Sequence, residues 1–237
     1  MQHNSFSAAV PTTAEAIATK RIQWFRRRLQ GWAQSHRRDF PWRRTSDPYA
    51  IFVAEFMLQK TAAATVVPIY ETFLAQYPSA IALAAASVED LTELLQPLGL
   101  SFRAQRLHQS AQIICQEYGG QIPRQESELL KLPGVGPYTA RSICANAFCE
   151  PKAVLDTNVA RILERFFNIE GGRVKFRSPL LQKVATLVAP KRDVGAWNLG
   201  LLDFAAAVCT ARNPQCDECP LRQQCAYPQG EKSARCG

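Results

Sequence analysis

Apolar residues recur at helical spacing along almost the whole sequence, and this periodicity limits the possible folds more than any other feature of the chain. In the segment 16–34, for example, Ile22, Phe25 and Leu29 fall on one helical face. Nine further segments of helical length follow, separated by Gly, Pro or short polar links. No segment alternates as a strand would, and we therefore predict an all-α fold.

The charge balance predicts an anionic partner. The 237 residues contain 28 Lys and Arg against 20 Asp and Glu, a formal net charge of +8. Such a surface attracts nucleic acid, the leading class, although an anionic membrane would fit the charge equally well. No apolar run approaches the ~20 residues of a membrane span. The first twenty residues lack the pattern of a secretory signal. We expect a cytoplasmic, nucleoid-associated protein without a membrane partner, with a transit peptide as the alternative.

Four of the eight cysteines lie close together near the C-terminus, in the pattern Cys209-x6-Cys216-x2-Cys219-x5-Cys225. Disulfides are not expected in a cytosolic chain, so this spacing predicts a metal site. Four thiolates without a histidine suit either structural zinc or an iron–sulfur cluster. Common zinc ribbons use two C-x2-C pairs, and this stretch has one.

The stretch LPGVGPYTA, residues 132–140, lies between two helical segments and predicts a helix-hairpin-helix. Gly134 permits a positive φ, and Gly136 permits close approach of another molecule. Backbone N–H groups beside a helix N-terminus suit a phosphate. The alternative is a tight connection between two packed helices, with glycine needed only for its geometry.

Two carboxylates stand in unusual sequence surroundings. Asp156 closes an apolar run and precedes the segment TNVARILERFF, so it is at least a helix N-cap. Glu55 lies inside IFVAEFML, with apolar residues on both sides. Such surroundings raise the pKa of a carboxyl group and allow it to act as an acid. The alternative for Glu55 is a position on the solvent side of an amphipathic helix.

Four stretches together resemble the helix-hairpin-helix DNA glycosylase superfamily: FVAEFMLQKT, LPGVGPYTA, VLDTNVARIL and LDFAAAVCTARNPQCDECPLRQQC. The resemblance extends from about Trp42 to Cys225. It points to the branch that contains endonuclease III, the adenine glycosylase MutY and the archaeal thymine-DNA mismatch glycosylases. Where endonuclease III has a lysine and MutY typically a serine, this chain has Tyr138, which is similar to the mismatch glycosylases.

The resemblance implies a two-lobed fold made of a six-helix barrel and an iron–sulfur cluster lobe. Residues 1–47 would be a tail and a helix that packs with the cluster lobe. Residues 48–152 would form the barrel with the hairpin, and residues 153–237 the remainder of the cluster lobe, in which the four cysteines bind a [4Fe–4S] cluster. We expect the active site between the lobes, with Tyr138 and Asp156 at its mouth and Glu55 deeper.

The resemblance also assigns catalytic roles. Cleavage of an N-glycosidic bond builds positive charge on the deoxyribose, which a fixed carboxylate at Asp156 would stabilise while orienting or deprotonating water. Glu55 would donate a proton or hydrogen bond to the departing base. Tyr138 cannot form an imine as a lysine does. We therefore predict a monofunctional glycosylase that leaves an abasic site, without strong lyase activity.

The partner that the resemblance implies is double-stranded DNA with a mismatched or damaged base, bound by a monomer. Gln59 would fill the space left by the extruded base, and Leu100 would wedge beside the orphaned base; a loop residue packing on its own helix is the alternative for Leu100. The hairpin would bind phosphate with the help of a monovalent or divalent cation. Its predicted DNA-binding residues are Leu132, Gly134, Val135, Gly136 and Thr139.

The preferred reaction is removal of thymine or uracil mispaired with guanine. The alternative is a MutY-like adenine glycosylase acting on A·G or A·8-oxoguanine. Tyr138 and the end of the chain soon after Cys225, without an additional C-terminal domain, argue against adenine. A second alternative is a non-catalytic, metal-containing module that binds DNA lesions, against which the two carboxylates argue.

Overall fold

Helices account for the regular secondary structure of the computed structural model, which describes residues 19–99 and 102–227. Those two ranges contain no strand, and the all-α prediction is confirmed. The helices of the described residues are α1 Thr19–Ser35, α2 Pro48–Met57, α3 Ala63–Gln76, α4 Ala80–Ala84, α5 Val88–Leu95, α6 Phe102–Tyr118, α7 Glu126–Leu129, α8 Pro137–Ala147, α9 Thr157–Phe167, α10 Pro179–Val188 and α11 Val194–Ala207.

The chain divides into two compact units. The first, here the hairpin unit, comprises Arg38–Lys152 and Lys191–Ala196. The second, here the cysteine unit, comprises Ala153–Pro190 and, among the described residues, 19–37 and 197–227. The hairpin unit thus begins ten residues before the predicted boundary at 48.

The hairpin unit holds seven described helices, α2 to α8, where the sequence predicted six. The additional one is the single turn α4, whose N-cap Ser79 accepts a hydrogen bond from the N–H of Ala82 at 3.2 Å. Five residues are too few to show an apolar period, which explains why the sequence pattern missed this helix.

Helix α2 runs through the core of the hairpin unit. Its apolar side chains are almost all buried, and Phe52 and Phe56 pack with their ring centroids 4.9 Å apart. The turn before it belongs to the same core, because Trp42 packs edge-on against Tyr70 at 5.3 Å. Replacing one such buried aromatic by alanine typically costs ~3–5 kcal/mol. This packing fixes the position of Glu55, the one carboxyl-bearing residue of α2.

Aromatic side chains form the core of the cysteine unit. Phe25 of α1 packs against Phe166 and Phe167 of α9, with centroid distances of 4.7 and 5.4 Å, and its ring lies 6.0 Å from Trp197 of α11. The basic helix α1 therefore packs with α9 and α11. Arg26 of α1 donates hydrogen bonds to the carbonyls of Leu187, Val188 and Ala189 at the end of α10. No helix of the described residues is long and apolar enough to cross a membrane.

Candidate functional site

Asp156 is held rigidly at the N-terminus of α9. Its Oδ1 accepts hydrogen bonds from the N–H groups of Asn158 and Val159 at 2.9 and 2.7 Å. Its Oδ2 accepts one from Nδ2 of Asn158 at 2.7 Å. The residue is therefore the N-cap that its sequence context predicts. A half-buried carboxylate fixed through both oxygens also has the immobility that electrostatic catalysis requires.

The chain leading into Asp156 is also anchored. The carbonyl of Ala153 accepts a hydrogen bond from Nε2 of Gln182 at 3.1 Å. The N–H of Val154 donates to Oδ1 of Asn198, a residue that is 1% exposed, at 3.3 Å. Because α10 and α11 both bind this short segment, the position of Asp156 does not depend on its own cap alone.

Glu55 belongs to a chain of polar side chains inside the hairpin unit. Its Oε1 accepts a hydrogen bond from Oγ of Ser142 at 2.6 Å, and that Oγ accepts one from Nδ2 of Asn146 at 3.1 Å. Burial raises the pKa of Glu55 to about 7, and the hydrogen bond from Ser142 partly offsets the effect. A carboxyl group with this pKa carries its proton in a large share of molecules near neutral pH, as a general acid must.

The two hairpin glycines have different reasons to be glycine. Gly134 has a φ of +87°, and a Cβ there would lie 2.8 Å from Cε1 of Phe56, so backbone and packing both demand glycine. Gly136, the N-cap of α8, has an ordinary φ of −97°. A Cβ there would have no atom within 4 Å, so nothing described inside the protein requires glycine. The open space before α8 suits close approach of an external anion.

The other predicted hairpin residues point inward. Leu132, Val135 and Thr139 are 2%, 8% and 5% exposed, so contact with DNA would come from their backbone groups. Gln59 lies against the hairpin, because its Nε2 donates a hydrogen bond to the carbonyl of Gly134 at 3.0 Å. The hairpin unit thus brings Gln59 and the hairpin together. Leu100 lies outside the described residues.

Tyr138 lies half-buried in the first turn of α8. The lysines nearby in sequence are bound to carboxylates: Lys131 to Glu128 at 2.7 Å and Lys152 to Glu126 at 2.8 Å. These hydrogen bonds raise the pKa of each lysine above its ordinary value. An amine that forms an imine needs the opposite shift, because only the neutral amine is nucleophilic.

The four C-terminal cysteines line one cavity in the cysteine unit. Tight turns fold the loop around it, with the N–H of Cys219 donating to the carbonyl of Cys216 at 3.4 Å and that of Arg222 to Cys219 at 3.0 Å. The side chains that complete the cavity are mostly apolar and include Ile162, Phe166, Phe204, Val208 and Leu221. Arg165 adds an N–H donor 3.6 Å from Sγ of Cys209.

The cavity offers four cysteine sulfurs and no histidine. Burial raises the pKa of Cys219 and Cys225 to about 11, so the thiolates need a cationic group among them. Four sulfurs around an apolar cavity with an N–H···S donor suit an iron–sulfur cluster.

Family comparison agrees with this arrangement. Residues 53–185 match the model described as HhH-GPD superfamily base excision DNA repair protein. The chain belongs to the HhH-GPD superfamily. Residues 209–225 match the model described as iron-sulfur binding domain of endonuclease III, which covers the four cysteines of the cavity. The predicted family is confirmed.

Individual relatives within the HhH-GPD superfamily are similar over most of their length. The "Thymine-DNA glycosylase" of Aeropyrum pernix is 42% identical over 212 residues, which cover 87% of this chain and 95% of the relative. The "Adenine DNA glycosylase" of Mycolicibacterium smegmatis is 37% identical over 213 residues, covering 87% and 72%. The solved structure of a thermostable thymine-DNA glycosylase superposes with a TM-score of 0.84 at 32% identity, covering 89% and 98%.

The sequence did not predict three side chains of this candidate site. Asn158 orients Asp156, and Ser142 with Asn146 orients Glu55. The role of Asn158 could have been predicted, because an asparagine two residues after an N-cap aspartate can donate a side-chain hydrogen bond back to that carboxylate. No local signal existed for Ser142, which lies 87 positions from Glu55.

Proposed function

We propose that this chain is a monofunctional DNA glycosylase that, as a monomer, removes thymine or uracil mispaired with guanine from double-stranded DNA. The observation that carries the proposal is the rigid carboxylate of Asp156, held through both oxygens in a member of a base excision repair family. Similarity to a thymine-DNA glycosylase supports the choice of base.

Asp156 stabilises the transition state in this proposal. As the glycosidic bond breaks, positive charge develops on the deoxyribose, and a carboxylate that is already in place needs no reorganisation to stabilise it. The same carboxylate orients or deprotonates the attacking water. The bonds from Asn158 and Val159 hold it in one orientation during both steps.

Glu55 acts on the leaving base. Thymine and uracil depart more readily when a carbonyl oxygen of the ring receives a proton or a strong hydrogen bond. A carboxyl group with a pKa of about 7 supplies such a proton at the pH of the cell. The hydrogen bond from Ser142 fixes one oxygen of Glu55 and leaves the other for the base.

The hairpin binds a phosphate of the DNA, with a bound cation assisting. The glycine at Gly136 leaves open space before α8, and the dipole of that helix favours an anion there. The net charge of +8 supplies the long-range attraction, so affinity for DNA should fall with salt.

The four cysteines that line the cavity bind a [4Fe–4S] cluster, and four Fe–S bonds would hold the loop in place. Replacing Cys219 with Ser is therefore expected to abolish the visible absorbance of the protein and to lower its iron content. Replacement of Cys149, an exposed cysteine of the hairpin unit, with Ser serves as the matched control and should change neither. A colourless wild-type protein that contains zinc would contradict the cluster.

Two other functions have weaker support. Adenine removal is favoured by the adenine glycosylase relative, which is 37% identical. Tyr138 argues for the pyrimidine, because it is the residue that resembles the mismatch glycosylases. A non-catalytic lesion-binding module would not need a carboxyl group at Glu55 whose pKa is raised to about 7 or a carboxylate held as firmly as Asp156.

The deciding experiment is single-turnover cleavage of a duplex panel containing G·T, G·U, A·G and A·8-oxoguanine, with alkali to convert abasic sites to breaks. We expect release from G·T and G·U, and no breaks without alkali, because Tyr138 has no amine. Borohydride should trap no covalent complex with wild type, whereas Tyr138→Lys provides the positive control for trapping. Preferential release of adenine would instead establish the alternative.

A further inference from the structure

A buried arginine connects two turns of the hairpin unit. Arg103, in the first turn of α6, is 2% exposed. Its guanidinium donates to the carbonyls of Met57 and Gln59 at 3.0 and 2.6 Å, and to Oγ1 of Thr61 at 3.1 Å. The acceptors are neutral, so no carboxylate among them compensates the charge. Burying a guanidinium in this way is costly, and an apolar side chain would fill the position more cheaply.

Only part of this network is explained by helix capping. A cation at the C-terminus of a helix interacts favourably with the helix dipole. The hydrogen bond from Arg103 to the carbonyl of Met57, the last residue of α2, is an interaction of this kind. The bonds to Gln59 and Thr61 lie beyond the end of the helix and fix the turn 58–61. This turn carries Gln59, whose side chain reaches the hairpin at Gly134.

Thr61 extends the network to a second turn. Its hydroxyl, which accepts from Arg103, lies within donating distance of the carbonyls of Leu98 at 3.2 Å and Gln59 at 3.3 Å. Leu98 belongs to the turn 96–99, which closes through the N–H of Gly99 donating to Gln96 at 3.0 Å. Arg103 and Thr61 thus hold the turn with Gln59 and the turn that ends at Gly99 in one fixed arrangement.

We propose that Arg103 and Thr61 are positioning residues for base extrusion, which rests on the glycosylase function proposed above. They set the spacing between the Gln59 turn and the 96–99 turn before DNA binds. An extruded base leaves a gap that the protein must fill at once, because unstacking and unpairing oppose extrusion. Gln59, which the family resemblance assigns to that gap, is then held in place without further ordering, whereas a small misplacement can cost about 100-fold in rate.

The test separates extrusion from chemistry with two substrates. The first is a duplex with a G·U pair, and the second has the uracil inside a short bubble of non-complementary bases, where little extrusion is needed. We expect Thr61→Val to lower the single-turnover rate in the duplex about 10-fold and the rate in the bubble less than about 2-fold, within the loss that misplacement allows. Thr61→Ser keeps the hydroxyl and should behave as wild type on both.

Arg103→Lys gives a second measurement. The ammonium cannot reach the three acceptors as the guanidinium does, so the duplex defect should exceed that of Thr61→Val. If thermal melting shows that Arg103→Lys is unfolded, the comparison of Thr61→Val with Thr61→Ser decides the question alone. Equal losses on duplex and bubble, or a normal duplex rate for Thr61→Val, would overturn the inference.

A readout without chemistry distinguishes failure of this inference from failure of the proposed function. 2-Aminopurine placed next to the mispair brightens when the neighbouring base leaves the stack. If wild type brightens the probe but releases no base, the glycosylase function is refuted. A Thr61→Val complex that is dimmer than the wild-type complex would then still support the positioning role. A Thr61→Val complex as bright as wild type contradicts that role whatever the base release.

Discussion

Asp156→Asn is expected to lower the single-turnover rate of base release about 100–1000-fold, the loss that follows removal of one preorganised electrostatic group. The fold should survive, because asparagine caps a helix nearly as well as aspartate and its Oδ1 can still accept from Asn158 and Val159. DNA affinity should not fall, since the substitution removes a negative charge that repels phosphate. The measurements are single-turnover kinetics on the G·U duplex and a DNA-binding titration.

The chain contains a matched control for this substitution. Asp47 is the N-cap of α2 and accepts a hydrogen bond from the N–H of Tyr49 at 3.1 Å. Asp47→Asn therefore makes the same chemical change at the same kind of position. If Asp156→Asn releases the base at the wild-type rate, Asp156 has no catalytic role. If Asp47→Asn loses as much activity as Asp156→Asn, the effect is structural.

The parts of the fold that the sequence predicted are those encoded locally. Helix α9 was predicted over 157–167 and is found over Thr157–Phe167, because a strong apolar period follows a polar cap. The hairpin and the four cysteines were also identified from short spacings, and the cysteines do line one cavity. Boundaries were less accurate: the apolar pattern of ESELLKL predicts a helix over residues 126–132, whereas α7 spans Glu126–Leu129.

The contacts that organise the candidate site depend on tertiary packing. Ser142 reaches Glu55, Gln59 reaches Gly134 and Arg103 reaches Met57 across separations of 87, 75 and 46 positions. Nothing in the spacing of a single sequence encodes which side chains meet at such distances. The sequence therefore identified the carboxylates, whereas the structure was needed to find the side chains that orient Glu55 and Gln59.

The pH dependence of base release should identify Glu55 as the acid. Its folded pKa is about 7, so the protonated fraction and the rate should both fall as the pH rises through about 7. Glu55→Gln should lower the rate about 100-fold and remove this alkaline limb, the decrease of the rate with rising pH, because an amide does not titrate. Ser142→Ala removes the hydrogen bond that favours the carboxylate, so the limb should move to higher pH. The measurement is the single-turnover rate against pH for the three proteins.

Stability gives an independent check on the same pKa. The unfolded carboxyl titrates at the ordinary 4.5 and the folded one at about 7, so the folded state binds this proton more tightly. Its contribution to stability is present in full below pH 4.5 and is lost as the pH rises through about 7. Relative to Glu55→Gln, wild type should therefore lose unfolding free energy over that interval. A constant difference between the two proteins, together with a rate limb that persists in Glu55→Gln, would show that another group titrates and that Glu55 is not the acid.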